Sequence, residues 1–141
     1  MTVKIPASHQ NLLTEPIYAV LTTMMAEGTP QSSLVWVDYD GEHILVNTTL
    51  ERQKGRNMQA NPKVTVLVID PQNTSRWIEI RGKVIGLTAT DAEAHADRLT
   101  QQYTGKQHFY GDVYPVEQRE KESRVIVTIE PVKISLDAIF R

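Results

Sequence analysis

Thr48-Thr49-Leu50-Glu51-Arg52-Gln53-Lys54-Gly55-Arg56-Asn57-Met58-Gln59-Ala60-Asn61-Pro62 separates two apolar strand-like runs, His43 to Val46 and Val64 to Ile69. Its first half holds Arg52, Lys54 and Arg56, and its second half is filled with helix-compatible residues that end at a proline. Proline cannot continue a helix, so the helix stops there. A strand that passes through hydroxyls and cations into a helix start is suited to holding a phosphate. The free amides of the first turn point at the anion, and Arg and Lys supply the counter-charge.

The spacing of the cations has two readings. If Arg52 to Lys54 is extended, side chains two apart share a face and both reach one anion. If the helix has already begun, Arg52 aligns with Arg56 and Lys54 points elsewhere. Gly55 favours irregular backbone at the entrance, hence the extended geometry. A solvated loop with ordinary surface cations is the competing reading of the same residues.

Outward from this stretch the pattern is mostly strands. Ser8 to Thr14 reads as a short helix closed by Pro16. Ile17 to Met25 is apolar on both faces, as a central strand would be. A Glu27-Gly28-Thr29-Pro30 turn leads to Gln31 to Val37, and the Asp40-Gly41 pair marks a hairpin before His43 to Asn47. These strands read as an antiparallel meander. Beyond Pro62 come Val64 to Ile69 and a long strand from Trp77 to Leu87, in which Gly82 and Gly86 suggest a bulge or bend. Thr90 and Glu93 have capping-box spacing for a helix with an Ala92, Ala96, Leu99, Tyr103 seam. Residues 104–122 follow no periodicity. Arg124 to Glu130 and Lys133 to Phe140 read as the last two strands. The fold class is mainly β: a barrel of six to seven antiparallel strands with peripheral helices, as a single domain over residues 1–141.

Composition narrows the function. The chain has 141 residues and a net charge of −2, which gives no push towards nucleic acid or an anionic membrane. Residues 50–63 hold four cations against one acid, on an otherwise acidic chain. A local basic patch of that kind suits a small anionic ligand better than a polyanion. Having no cysteine, the chain has no disulfide, thiol nucleophile or thiolate metal site. No apolar run is long enough to span a bilayer, and Met1 to Leu13 lacks a signal-peptide pattern, so a soluble cytoplasmic protein is expected.

The usual catalytic constellations are missing. His9, His43, His95 and His108 are scattered and read as surface or capping residues rather than metal ligands. There is no Gly-x-Ser-x-Gly elbow and no dinucleotide glycine fingerprint. Glu79 beside Arg81 and Lys83 reads as half of a salt bridge. Trp36 and Trp77 are either packing residues or walls for a planar ring. If the ligand is a flavin-like cofactor, it performs the redox chemistry while the protein binds, orients and excludes water.

The order of motifs resembles a known family. Gly28-Thr29-Pro30-Gln31 into Val35-Trp36-Val37, Asp40-Gly41, Val46-Asn47-Thr48, Arg52-x-Lys54-x-x-Asn57, Asn61-Pro62-Lys63-Val64 and Glu79-Ile80-Arg81-Gly82-Lys83-Val84 are similar to the FMN-binding split β-barrel family. That family includes pyridoxamine 5′-phosphate oxidase and the deazaflavin-dependent oxidoreductases, and the pattern is closer to the latter. The resemblance implies a homodimer with two cofactor sites at the subunit interface. It implies coenzyme F420, with FMN as the alternative. Arg52 and Lys54 would hold the cofactor phosphate, with Asn57 part of the same motif. Asn47, Thr48 and Thr49 would run along the ring, with Gln31 and Ser33 near it, and Trp77 would be a wall given by the partner subunit. The C-terminal Leu136-Asp-Ala-Ile-Phe-Arg141 departs from the terminal substrate motif of pyridoxamine phosphate oxidase, so that oxidation is not the expected activity.

Overall fold

A computed structural model describes residues 2–137. Seven strands form one antiparallel sheet that curls into a split barrel. They are β1 (Ala19–Met24), β2 (Pro30–Val35), β3 (Asp38–Tyr39), β4 (Ile44–Thr49), β5 (Lys63–Ile69), β6 (Trp77–Thr88) and β7 (Arg124–Leu136). Three helices accompany them: α1 (Asn11–Thr14), α2 (Gln53–Ala60) and α3 (Ala92–Thr104). The expected single helix over Ser8 to Thr14 is instead a 3-10 turn, Ala7–His9, followed by α1.

The lateral order is β2-β1-β5-β6-β7-β4-β3. Period-two alternation explains the inner face. Ala19 and Leu21, Ile44 and Val46, Val64, Val66 and Val68, Ile78 and Ile80, and Val125, Val127 and Ile129 are all buried. Each buried Val or Ile stabilises the fold by about 1.5–3 kcal/mol. Ile5, Leu12 and Leu13 complete this core from the N-terminal segment.

Three strand expectations are corrected. The chain is not a meander through its third strand, because β2 and β3 lie on opposite edges of the sheet. Only Trp36 and Val37 separate them. Three Cα–Cα steps span at most roughly 11 Å, so the sheet must curl until its two edges meet there. The Tyr103 hydroxyl of α3 fastens this crossing. It accepts from Val37 N–H at 3.1 Å and reaches the carbonyls of Ile17 at 3.0 Å and Val37 at 3.2 Å.

Second, the two expected C-terminal strands are one strand. β7 pairs with β4 along Arg124–Ile129 and with β6 along its length. Its Pro131, with no N–H to donate, lies opposite Gly82 at a register shift. A Cβ on Gly82 would stand 2.5 Å from Ile129 Cγ2, so glycine lets β7 pass. The part of the expected last strand beyond Asp137 lies outside the described residues. Third, Tyr39, expected within the Tyr39-Asp40-Gly41-Glu42 turn, belongs with Asp38 to a short strand, and Asp40 Oδ1 organises the loop by accepting from Glu42 N–H and His43 N–H.

The helix starts also differ. α2 begins at Gln53, with Arg52 extended at its N-cap, so Lys54 is already helical rather than extended. The Thr90–Glu93 capping box does not form. Asp91 is the N-cap in the left-handed region at φ 61°, without a side-chain cap, and Glu93 bonds Arg119 at 2.6 Å. A partner on another segment has outcompeted the local cap.

Candidate functional site

The strand–helix junction at the centre of the sequence forms one corner of a cavity of about 190 Å³. β4 delivers Asn47 and Thr48, and the turn into α2 delivers Arg52 and Lys54. α2 lies tight against the end of β4: a Cβ on Gly55 would fall 2.0 Å from the Thr49 carbonyl oxygen. Thr49 Oγ1 accepts from Arg52 N–H at 3.3 Å, and this fixes the entry.

The electrostatics of this corner are unfinished within the chain. Burial, then the neighbouring charge of Arg52, lowers the Lys54 pKa. Among the described residues no carboxylate pairs with Lys54. The Thr48 hydroxyl is buried with no hydrogen-bond partner. First-turn amides of a helix likewise have no intrahelical partner. Together these groups fit a phosphate.

The opposite wall comes from parts of the sequence without periodicity. α3 supplies Ala96 and Leu99, the segment after it supplies Phe109, Val113 and Tyr114, and β7 supplies Arg124. Trp36 stacks on Tyr103 at 5.3 Å and 17°, and meets Phe109 edge-on. Arg124 is held on every side. It donates to Asn47 Oδ1 at 2.7 Å, the Tyr110 hydroxyl at 3.0 Å and Glu122 Oε2 at 2.9 Å, and lies 4.2 Å from the Phe109 ring centre. Burial would raise the Glu122 pKa, but bonds from Tyr110 and Gln118 and the charges of Arg124 and Arg52 hold it low. Burial is the main cause of the raised Tyr110 pKa.

Behind Asn47 lies a chain of side chains. Its amide donates to the Ala92 carbonyl at 2.8 Å and faces His95 Nδ1 at 3.0 Å. Nδ1 therefore accepts, and His95 Nε2–H donates to Asp38 at 3.1 Å. The bond from His95, against the opposing effect of burial and with help from Arg98, lowers the Asp38 pKa to about 2. His95 and His9, read as surface or capping residues, are instead buried and paired with carboxylates. Among the described residues no three potential ligands converge on a metal position.

Of the residues singled out in the sequence, Trp36, Asn47, Thr48, Arg52 and Lys54 line the cavity together. The others stand elsewhere. Thr49 supports Arg52 from behind. Asn57 is on the buried side of α2 and donates to Thr23 at 3.0 Å, while Gln31 meets Thr23 at 3.4 Å. Ser33 has a buried hydroxyl without a partner. Trp77 lies on the outer sheet face, in a separate cavity of about 610 Å³ with Leu67, Ile69 and Arg81. Arg56 turns away, donating to the Glu51 carbonyl and to Gln53 at 2.6 Å. Arg124 and the Phe109–Tyr114 wall escaped the sequence reading. A lone cation opening an apolar strand, after a run of aromatics, was the available signal.

A family model described as pyridoxamine 5′-phosphate oxidase matches residues 5–136. The chain belongs to that family. A solved F420 reductase is 35% identical, with TM-score 0.80, covering 93% of this chain and 98% of that one. The pyridoxine/pyridoxamine 5′-phosphate oxidase of Rhodopseudomonas palustris (strain BisA53) is 32% identical over 82 residues, 57% of this chain and 38% of that protein. The match thus spans well under half the length of that curated relative. Rv2991 of Mycobacterium tuberculosis, at 21% identity and TM-score 0.69 over 96% of this chain and 86% of that one, shares the fold. Family and fold together are those of flavin-binding split barrels of the oxidoreductase type. Among the described residues no helix is long and apolar enough to cross a membrane.

Proposed function

We propose that this protein is an F420-dependent oxidoreductase that passes hydride between the deazaflavin and an electron-poor small molecule. One observation carries the reading: Thr48, Arg52 and Lys54 converge on one cavity, with a buried hydroxyl and a partly buried ammonium left unpaired among the described residues. The likeness to an F420 reductase over nearly its whole length supports the choice of cofactor. The deazaflavin supplies the hydride chemistry. Arg52 and Lys54 hold its phosphate, Asn47 and Thr48 run beside it, and the aromatic wall excludes water.

The cavity is smaller than the roughly 300–1,000 Å³ usual for organic ligands. It opens onto exposed Tyr18 and Leu34, 53% and 65% accessible. A three-ring cofactor would extend onto this rim and need a second wall. A second copy of the chain, forming a homodimer, would provide it, with Trp77 on its outer sheet face. FMN is the second reading. It is favoured by the oxidase relatives and by the position of Arg56, which turns away from the cavity instead of adding charge for the anionic F420 tail.

Fluorescence titration at low and high salt, with both cofactors, tests the reading. F420 should bind more tightly at low salt, with the gap narrowing as salt rises. Arg52→Ala and Lys54→Ala should each cost about 1.5–3 kcal/mol of binding, the range for charged hydrogen bonds. Arg56→Ala should cost much less. Equal or better affinity for FMN moves the assignment to a flavoprotein, and a stable 16 kDa monomer in light scattering removes the interface site.

A further inference from the structure

We propose that His95 is a positioning residue for the cavity: its ring decides which way round the Asn47 amide sits, and through Asn47 it sets the Arg124 guanidinium. This rests on the cavity being the ligand site, whichever cofactor fills it. Asn47 and Arg124 both line the cavity. An amide can be placed two ways round, and its neighbours choose between them. The Ala92 carbonyl, 2.8 Å from Asn47 Nδ2, can only accept. Arg124 Nη1, 2.7 Å from Asn47 Oδ1, can only donate. The amide nitrogen therefore faces α3 and the oxygen faces β7. The third neighbour, His95 Nδ1 at 3.0 Å from Asn47 Nδ2, could play either part. Asp38 settles it. Its ionised carboxylate lies 3.1 Å from His95 Nε2, so the ring proton sits on Nε2 and Nδ1 accepts from the amide.

This order has no slack. A proton on Nδ1 would face the Asn47 amide nitrogen, donor to donor. Turning the amide over would set its oxygen against the Ala92 carbonyl and its nitrogen against Arg124. His95 is only 1% exposed, so water offers no substitute partner, and a buried group left unpaired is costly. Tyr110 and Glu122 hold Arg124 from the segment between α3 and β7, whereas Asn47 ties its Nη1 to β4. Both amide protons of Asn47 are spent on Ala92 and His95. Asn47 thus serves a ligand by placing Arg124 and not by donating to it.

Nitrogen NMR and two variants test the idea. In the unaltered protein at neutral pH, the His95 ring should carry its proton on Nε2 and leave Nδ1 bare. His95→Asn places an acceptor where Nδ1 stands and gives up Asp38. His95→Gln reaches towards Asp38 and leaves Asn47 without that acceptor. With no ligand present, slowly exchanging Nη1 protons of Arg124 should persist in the Asn variant and vanish in the Gln variant. Affinity for F420 or FMN, whichever binds, should fall less than threefold in the Asn variant and at least tenfold in the Gln variant. A proton on His95 Nδ1 in the unaltered protein overturns the proposal, whether or not either variant folds. So do equal losses in the two variants, which a merely structural histidine would give. Failure of the cofactor reading looks different: neither cofactor binds the unaltered protein, while the ring proton and the Arg124 signals still decide the part His95 plays.

Discussion

Thr48 carries a hydroxyl that folding removes from water without giving it a partner. An unsatisfied buried polar group costs about 1–3 kcal/mol. Replacing it with an isosteric methyl should recover part of that cost. We expect Thr48→Val to raise the denaturation free energy by roughly 1 kcal/mol while weakening phosphate-ligand binding. Chemical denaturation and titration on the same sample check both signs. Lower stability with unchanged affinity would mean that the hydroxyl serves the fold. At this scale the sequence was readable where function is local. Asn47, Thr48, Arg52 and Lys54 lie within one short stretch, and their hydroxyls and charges announce themselves. Arg124 was not readable, because it reaches the cavity only through the pairing of Thr49 with Arg124 across distant strands.

Among the elements, α3 is tied to the β3–β4 hairpin by charge. Asp38 accepts from His95 on the inner side of α3 and from Arg98, 3.0 Å away, on its exposed side. The folded Asp38 pKa, about 2, lies below its ordinary 3.8. Its contribution to stability is therefore complete above about 3.8 and is lost as pH falls towards 2. Acid titration of unfolding should show stability falling through this window, and Asp38→Asn should flatten that limb relative to the unaltered protein. An unchanged acid limb would place the sensitivity on other carboxylates. Strand alternation and the proline stop of α2 were legible because a two-residue or helical period leaves a trace. The Thr90–Glu93 cap misled because Arg119 offers Glu93 a better partner from another segment. Phe109–Val113, with Gly111 at φ 111°, has no period to read, yet it builds the cavity wall.

For the molecule as a whole, the crossing between the two sheet edges is fastened from α3. The Tyr103 hydroxyl serves Val37 and Ile17 at the point where the chain crosses between the sheet edges. Tyr103→Phe keeps the ring stacked on Trp36 but leaves the Val37 N–H without its partner. We expect a loss of about 1–3 kcal/mol. Hydrogen exchange should quicken at Val37 far more than along β5 and β6. Uniform acceleration would show that the hydroxyl supports the whole barrel rather than its seam. The barrel class was legible from strand count and spacing. The lateral order was not, because alternation says which face a strand buries but not which neighbour it takes.

β7 joins β4 to β6, and without it the sheet separates into β2-β1-β5-β6 and the β3–β4 hairpin. Ribosomes make chains in order, at roughly 5–20 residues per second. The hairpin must therefore wait on the order of ten seconds for its neighbour to be synthesised. During that wait the edge of β4 destined for β7 is bare, and it is an apolar strand that invites pairing with another nascent chain. Vectorial synthesis thus leaves this edge open to misassembly until β7, the final strand among the described residues, has been made.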